Sequence, residues 1–152
     1  MGKRLYPDYY PSYAGEPVAD RLMVMETVEK GEGLISRVPV KKGELVFIFT
    51  GIILSEQTLY TLQVSEGVYL HDPFVMGKVL HSCSPNMSCD METRSFYATR
   101  DIEAGEYLTM DYETTEDVLF RPFECCCGSP HCRGYIQGRS LSSELRKHLA
   151  FV

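Results

Sequence analysis

Most of the six cysteines in this chain lie between positions 125 and 132, and this cluster constrains the fold more than any other feature. Thiolates from one short loop can converge on a single zinc ion, and the spacing favours Cys125, Cys127 and Cys132 as ligands. The side chain of Cys126 alternates in direction with its neighbours and is expected to point away. The sequence therefore predicts a structural zinc loop near the C-terminus.

A closed structural zinc site needs a fourth ligand, and it must come from outside these three cysteines. Cys83 and Cys89 are the thiol candidates from earlier in the chain. His131 is a local competitor, but its position directly before Cys132 makes simultaneous ligation awkward. The alternative interpretation is a set of buried thiols without a metal.

The cysteines are expected to stay reduced, because the N-terminus shows no secretory signal. Lys3 and Arg4 are followed by Tyr6, Pro7 and Asp8 rather than by an apolar run. Disulfides are rare in reducing compartments, so metal binding is the better prediction and a cytoplasmic location is expected.

Length and charge limit the classes of function. A chain of 152 residues with 44% hydrophobic content is predicted to form one domain with a core of its own. Its formal net charge of -6 argues against binding that depends on nucleic-acid phosphates and favours a basic partner, although solubility alone also explains an acidic surface. The longest uncharged apolar stretch, residues 45–54, is half of the roughly 20 residues that a membrane-spanning helix needs, so no membrane partner is expected.

The hydrophobic pattern predicts a mainly β protein. Residues 1–20 are rich in tyrosine and proline and show no period, so they are predicted to form an irregular arm. A final helix is predicted after Ser140 or Ser142, with Leu145, Leu149 and Val152 on one face. Between arm and helix, short strands separated mostly by glycine turns are predicted at residues 22–26, 44–49, 51–54, 59–64, 68–70, 95–99 and 107–111.

Two further motifs say little when they are taken alone. His81, Ser82 and Cys83 open a polar loop with a proline, and a nucleophilic Cys–His pair is disfavoured there because residues so close in sequence rarely face each other. Gly31 and Gly33 form a Gly-x-Gly turn without the longer phosphate-binding pattern. Each is equally typical of an ordinary turn.

The order of the motifs is more specific than any one of them. A Gly-x-Gly turn at residues 31–34, a His-Ser-Cys-x-Pro-Asn loop at 81–86, a Gly-Glu-x-Leu-Thr-x-Asp-Tyr segment at 105–112 and a Cys-x-Cys-x4-Cys-Arg-Gly loop at 125–134 follow one another. Together they resemble the SET-domain methyltransferases over about residues 30–138. The implied organisation is an arm at 1–20, a SET domain at 21–121, a post-SET zinc segment at 122–138 and a C-terminal helix at 139–152.

The resemblance implies a fold, a donor and a metal site. The fold is one of small twisted β-sheets around a threaded, pseudoknot-like segment, in which residues 81–86 run beneath 107–112. The methyl donor is S-adenosylmethionine, and the fourth zinc ligand is Cys83 rather than Cys89. The cofactor-binding positions are implied to be Gly31, Glu32, Gly33, Tyr60, Lys78, Leu80, His81, Phe123, Cys126 and Tyr135, some of which also wall the substrate side.

The resemblance also assigns the chemistry. Tyr112 matches the catalytic tyrosine of the family, and Phe49 and Met110 match positions that line the lysine channel. Leu80 stands where asparagine is usual, Met110 where Phe or Tyr is usual, Phe49 where Tyr is usual and Lys78 where Arg is common. A channel with fewer hydroxyl groups holds the amine less tightly, so di- or trimethylated products are expected.

Three functions remain open at this point. The first is transfer of methyl to the ε-amine of lysine in a protein or peptide, with a basic segment bound as an added β-strand. The second is N-methylation of a small amine or amino acid, because the stretch between Leu54 and Lys78 is short and gives little room for a peptide groove. The third is a SET-like interaction module without catalytic activity. The sequence does not indicate an oligomeric state.

Overall fold

Short β-strands, two short 3₁₀ helices and the first residues of a helix at 139–141 make up the regular structure of residues 3–141, the part of the chain that this computed structural model describes. The 3₁₀ helices span Met76–Lys78 and Tyr112–Thr114. The strands are β1 Leu22–Glu26, β2 Glu32–Ser36, β3 Leu45–Ile48, β4 Ile52–Leu54, β5 Thr61–Ser65, β6 Val68–His71, β7 Leu80–His81, β8 Met87–Asp90, β9 Ser95–Ala98, β10 Thr109–Met110, β11 Phe123–Glu124 and β12 Tyr135–Ile136.

The strands form five small sheets. Antiparallel pairing gives the hairpin β1–β2, the sheet β3–β9–β8, the sheet β4–β6–β5 and the pair β11–β12, whereas β7 and β10 pair in parallel. The β1–β2 turn needs Gly31, which has a φ of 70° and accepts a hydrogen bond from the Thr27 N–H at 2.7 Å. These findings confirm a mainly β fold.

The parallel pair brings distant parts of the chain together. Leu80 lies beside Thr109 and His81 beside Met110. The Asn86 side chain closes the loop that follows β7, because its Nδ2 donates to the Tyr107 carbonyl at 2.9 Å and its Oδ1 accepts from the Thr109 N–H at 2.8 Å. Residues 81–86 therefore lie against the 107–112 segment, as predicted.

Five strands have no counterpart among the predicted ones: β2, β7, β8, β11 and β12. β2 is buried at consecutive positions instead of alternating ones, so it lacks the period on which strand prediction depends. The predicted strand at 107–111 is shorter, because Tyr107 bridges Ile35 of β2 and only Thr109–Met110 pairs with β7.

The main core lies between the sheets and contains three clustered phenylalanines. The rings of Phe47 and Phe49 each lie close to that of Phe96, with centroids 5.0 and 5.2 Å apart. A smaller cluster contains Leu119, Cys125 and Ile136 and supports the C-terminal loop. The loop thus packs against the body of the domain over an apolar base.

The arm packs on the body of the domain. Apart from an isolated bridge between Arg4 and Val18, residues 3–20 form no strand or helix. Tyr6 is only 2% exposed, and its hydroxyl donates to Asp72 Oδ2 at 2.7 Å and accepts from the Thr50 N–H at 3.0 Å. The first residues therefore contribute to the core.

We expect Tyr6→Phe to lower the free energy of unfolding by about 1–3 kcal/mol, because it leaves the buried Asp72 carboxylate and Thr50 N–H without this partner. Urea unfolding followed by circular dichroism measures the change. Tyr9→Phe is the matched control, since Tyr9 is 78% exposed. Equal stabilities for the two variants would contradict the role assigned to the arm.

Only the start of the predicted C-terminal helix can be described: residues 139–141 are helical, and Leu145, Leu149 and Val152 lie outside the described residues. Within residues 3–141, no helix has the length and apolar character needed to cross a membrane.

Candidate functional site

A cavity of about 390 Å³ lies where the small sheets meet, and its volume falls in the range typical of small-molecule sites. Four parts of the chain form its walls: residues 30–32, residues 58–62, residues 76–80 and several positions between 110 and 123. The lining is mostly apolar, with a few charged groups among the apolar side chains. Such a cavity can hold a ligand that has both an apolar and a charged part.

Six of the ten predicted cofactor positions line this cavity: Gly31, Glu32, Tyr60, Lys78, Leu80 and Phe123. The other four, Gly33, His81, Cys126 and Tyr135, do not. Gly33 is buried in β2 against the side chains of Tyr107 and Leu80, and a Cβ there would lie 2.9 Å from the Tyr107 ring. Cys126 and Tyr135 are exposed at the post-SET segment.

Lys78 and Glu32 form the charged part of the wall. Lys78 Nζ lies 2.6 Å from Glu32 Oε1 and 5.2 Å from the centre of the Tyr60 ring. The ammonium group is thereby held between a carboxylate and an aromatic face. This arrangement joins three of the predicted cofactor positions into one contact.

Tyr112 brings a hydroxyl group to the same cavity. Its Oη donates to the Val79 carbonyl at 2.6 Å, and both residues line the cavity. The ring packs edge-on against His81 and Phe123. Burial raises the pKa of Tyr112 above its ordinary value, so the hydroxyl stays protonated at neutral pH. The hydroxyl oxygen of Tyr112 and the carbonyl oxygen of Val79 therefore lie next to each other in the wall of the cavity.

His81 supports Tyr112 from outside the cavity lining. Its Nδ1 accepts a hydrogen bond from the Tyr112 N–H at 3.1 Å, which places the imidazole proton on Nε2, 3.5 Å from Cys83 Sγ. Burial lowers the pKa of His81 to about 4. The ring is neutral at physiological pH, so the 3.9 Å approach to Asp111 is not an ion pair.

Four cysteines lie together on the side of His81 that faces away from Tyr112. They are Cys83, Cys125, Cys127 and Cys132, and all four sulfurs lie within 4.8 Å of one another. Zn–S bonds of about 2.3 Å in a tetrahedron place sulfurs about 3.8 Å apart. The Cys83 and Cys125 sulfurs are 3.9 Å apart. The residues present therefore fit a structural zinc ion.

The four thiols differ in acidity. Burial raises the pKa of the Cys125 thiol to about 12, whereas hydrogen bonds from neighbouring groups outweigh burial at Cys127 and lower the pKa of its thiol to about 6. Four thiolates could not share this space at neutral pH without a cation, whereas bound zinc deprotonates its thiol ligands. Four cysteine sulfurs are a common donor set for structural zinc.

The remaining candidates for zinc ligation lie outside the cluster. Cys89 is on β8, where its thiol contacts Met91 Sδ at 3.5 Å and burial raises its pKa to about 12. His131 and Cys126 are exposed. The choice of Cys83 as fourth ligand and the outward direction of Cys126 agree with this geometry.

Arg133 ties the cysteine loop to the segment that contains Tyr112. Its guanidinium pairs with Asp111 at 2.7 Å and with Glu113 at 2.9 Å. The backbone N–H of Arg133 donates to Cys83 Sγ at 3.4 Å. Sequence reasoning did not identify Arg133 or Glu113 as part of the site. The only local signal is the position of Arg133 directly after Cys132.

The two predicted channel residues lie in different places. Met110 is buried in β10 and lines the cavity. Phe49 is 1% exposed and packs in the phenylalanine cluster, outside the cavity lining. The hypothesis of more highly methylated products therefore depends on Met110.

Comparisons with known proteins agree with this geometry. The sequence model of the SET domain matches residues 31–113. The histone-lysine N-methyltransferase ash1 of Drosophila melanogaster is 32% identical over 84% of this chain, but the match covers only 7% of ash1. The methyltransferase flvH of Aspergillus flavus is 34% identical over 60% of this chain and 52% of flvH.

A solved structure extends the similarity to the fold. KRYPTONITE in complex with mCHG DNA and SAH superposes with a TM-score of 0.61 over 75% of this chain and 28% of that chain, at 21% sequence identity. At this sequence identity the similarity concerns the fold alone. The chain spans a small part of the length of ash1 and about half of flvH.

Proposed function

The chain belongs to the SET-domain family, and we propose that it is an S-adenosylmethionine-dependent N-methyltransferase that acts on the ε-amine of lysine in a protein or peptide. The observation that carries the proposal is the meeting of the Tyr112 hydroxyl with the Val79 carbonyl in the wall of the cavity, 2.6 Å apart. Relatives named as histone-lysine N-methyltransferases support it.

The cavity residues suit a reaction that needs positioning more than protein nucleophiles. When bound, the cofactor would supply an activated methyl group on a sulfonium, whose sulfur is a neutral thioether after transfer to the amine. The apolar wall of Leu80, Met110 and Phe123 excludes water, which favours the neutral amine that can attack. The oxygens of Tyr112 and Val79 present negative dipoles to the positive charge of the methyl group.

Residues on this wall would also hold the cofactor. The backbone at Gly31 and Glu32 and the ammonium of Lys78 are the polar partners, and Tyr60 and Phe123 are the aromatic ones. Gly33, His81, Cys126 and Tyr135 lie behind or beside this wall and would act on it indirectly. Zinc bound by Cys83 and the loop cysteines would fix the loop against the cavity.

A free sheet edge supports a peptide substrate. In the sheet β4–β6–β5, β4 is an edge strand, and within residues 3–141 no strand pairs with its outer side. Ile52 and Ile53 on this strand are 55% and 49% exposed. An extended peptide can add to such an edge through backbone hydrogen bonds. The net charge of -6 favours a basic peptide.

Small amines and amino acids are the second candidate substrates. The connection from Leu54 to Lys78 contains β5, β6, their turns and the 3₁₀ helix Met76–Lys78, and it leaves little protein to build a deep peptide groove. A SET-like module without activity is the third candidate. In each case we infer a reducing compartment such as the cytoplasm, because the zinc ligands must stay reduced.

Two measurements separate the candidates. Calorimetry with S-adenosylmethionine is expected to show one binding site per chain, and absence of binding would leave the interaction module. Incubation with radiolabelled cofactor and histones, cell extract or an amino-acid pool then identifies the acceptor. Label in protein supports the first candidate, and label confined to small molecules supports the second. Mass spectrometry of the product gives the number of methyl groups.

Leu80→Asn is expected to tighten cofactor binding by roughly ten- to a hundredfold, because Leu80 lines the cavity and an amide there can donate a hydrogen bond to a charged ligand. Calorimetry with S-adenosylhomocysteine measures the effect. Leu80→Met, which keeps the wall apolar, is the control and should bind as the wild type does. An asparagine variant that binds no better than the methionine variant would refute the polar role of this position.

A further inference from the structure

Glu116 is a buried carboxylate in the wall of the cavity that sequence reasoning did not single out. Glu116 is 5% exposed and lines the cavity together with Tyr112. The Glu116 N–H donates to the Tyr112 carbonyl at 3.0 Å, so Glu116 is fixed one turn after the proposed catalytic tyrosine. The wall thus presents a hydroxyl and a carboxylate from one short segment.

The carboxylate of Glu116 has only neutral partners. Its Oε2 accepts from the Gln63 N–H at 2.8 Å, and its Oε1 accepts a longer hydrogen bond from Gln57 Nε2 at 3.4 Å. Across residues 3–141, no ion pair involves Glu116. A carboxylate can accept about four hydrogen bonds, so acceptor capacity remains for a ligand.

The other acidic group of the cavity lining is already compensated. Glu32 is paired with Lys78 at 2.6 Å. Glu116 is instead buried without a direct ion pair, and this burial raises its pKa above the ordinary value for glutamate, although hydrogen bonds and the charge of Arg139 oppose the shift. A buried carboxylate without a direct cationic partner is costly for folding, and such groups cluster at functional sites. A cationic ligand entering the cavity would supply the missing charge.

The position of Glu116 favours the substrate over the cofactor as this ligand. Its two partners, Gln57 and Gln63, lie on the connection after β4 and on β5, in the sheet whose free edge is the proposed peptide site. The proposed polar partners of the cofactor, Gly31 and Lys78, belong to other walls of the cavity, whereas the proposed aromatic partner Tyr60 lies between Gln57 and Gln63 in the sequence.

We propose that Glu116 recognises the ammonium group of the substrate amine and selects cationic amines for entry into the cavity. This inference rests on the proposed function, because it assigns a substrate-binding role within the same site. It applies equally to a lysine side chain and to a free alkylamine, which share the ammonium group. The carboxylate binds and orients this group beside Tyr112.

A pair of probes that differ in the ammonium group tests the proposal. Nα-acetyl-lysine amide and Nα-acetyl-norleucine amide are titrated into zinc-loaded protein, with and without saturating S-adenosylhomocysteine. The wild type is expected to bind the lysine probe about tenfold or more tightly than the norleucine probe. In Glu116→Gln this preference falls to within about twofold, because an amide retains the acceptor for the Gln63 N–H but carries no charge.

Two controls separate recognition from folding. Glu66→Gln removes a charge from an exposed position in the β5–β6 turn and should keep the preference for lysine. The affinity of Glu116→Gln for S-adenosylhomocysteine should equal that of the wild type, which shows that the cavity is intact.

Several results would overturn the role of Glu116. If the wild-type protein binds the lysine and norleucine probes with equal affinity, recognition of the ammonium group by Glu116 is excluded. A Glu116→Gln variant that keeps the preference but loses cofactor affinity assigns the carboxylate to the cofactor instead. A wild type that does not bind S-adenosylhomocysteine contradicts the proposed function, whereas the lysine preference without cofactor still decides the role of Glu116.

Discussion

Replacing Cys83 with serine is expected to reduce bound zinc from one ion per chain to near zero after dialysis against a chelator, and to abolish methyl transfer. Cys83 is the one proposed ligand outside the C-terminal loop, so its loss would leave three thiols that no longer close a tetrahedral site. Zinc binding in small structural sites supplies about 10–16 kcal/mol, which is comparable to the entire stability of a domain. Elemental analysis and thermal unfolding measure the two effects.

Cys126→Ser is the matched control for this experiment. Cys126 is exposed in the same loop and does not belong to the cluster of four sulfurs. The variant should retain its zinc and its melting temperature. Full zinc content in Cys83→Ser, or loss of zinc in Cys126→Ser, would show that the ligand set is wrong.

Tyr112→Phe is expected to lower kcat/KM by about 10²–10³-fold, the usual effect of removing one hydrogen-bonding group aimed at a transition state. Only the hydroxyl is lost, and with it the hydrogen bond to the Val79 carbonyl. The free energy of unfolding should change by about 1 kcal/mol, and the affinity for S-adenosylhomocysteine should stay within severalfold of the wild type. Steady-state kinetics with labelled cofactor measure the loss.

Tyr97→Phe provides the comparison, because Tyr97 lies on β9 and is 36% exposed, outside the cavity lining. Its activity should match that of the wild type. Near-normal turnover by Tyr112→Phe would remove the central element of the proposed function.

Local patterns in the sequence were sufficient for the features with local causes. The strand at Leu22–Glu26 was predicted with its observed bounds, and the loop cysteines Cys125, Cys127 and Cys132, which were grouped from spacing alone, lie close together in the structure. The choice of Cys83 required the family resemblance, since nothing near it in sequence distinguishes it from Cys89.

Features that depend on distant contacts were not predictable in this way. The two-residue strands β7 and β10 pair in parallel across the fold and are too short to show a period. Phe49 was assigned to the channel by its motif, but its side chain packs in the core. Arg133 is important because it pairs with Asp111, and Glu116 because it is buried without a direct ion pair. Both properties depend on residues that are distant in sequence.

The separation between Cys83 and its partners has a consequence for how the protein is made. Cys83 and Cys125 stand 42 positions apart, so a bound zinc ion would close a long loop of the chain. A ribosome releases Cys132 last among the ligands, and zinc can be captured in its final geometry only after the threaded segment has docked. Zinc binding is therefore expected to follow folding of the rest of the domain. A nascent chain that lacks the loop at residues 125–132 would lack three of the four proposed ligands.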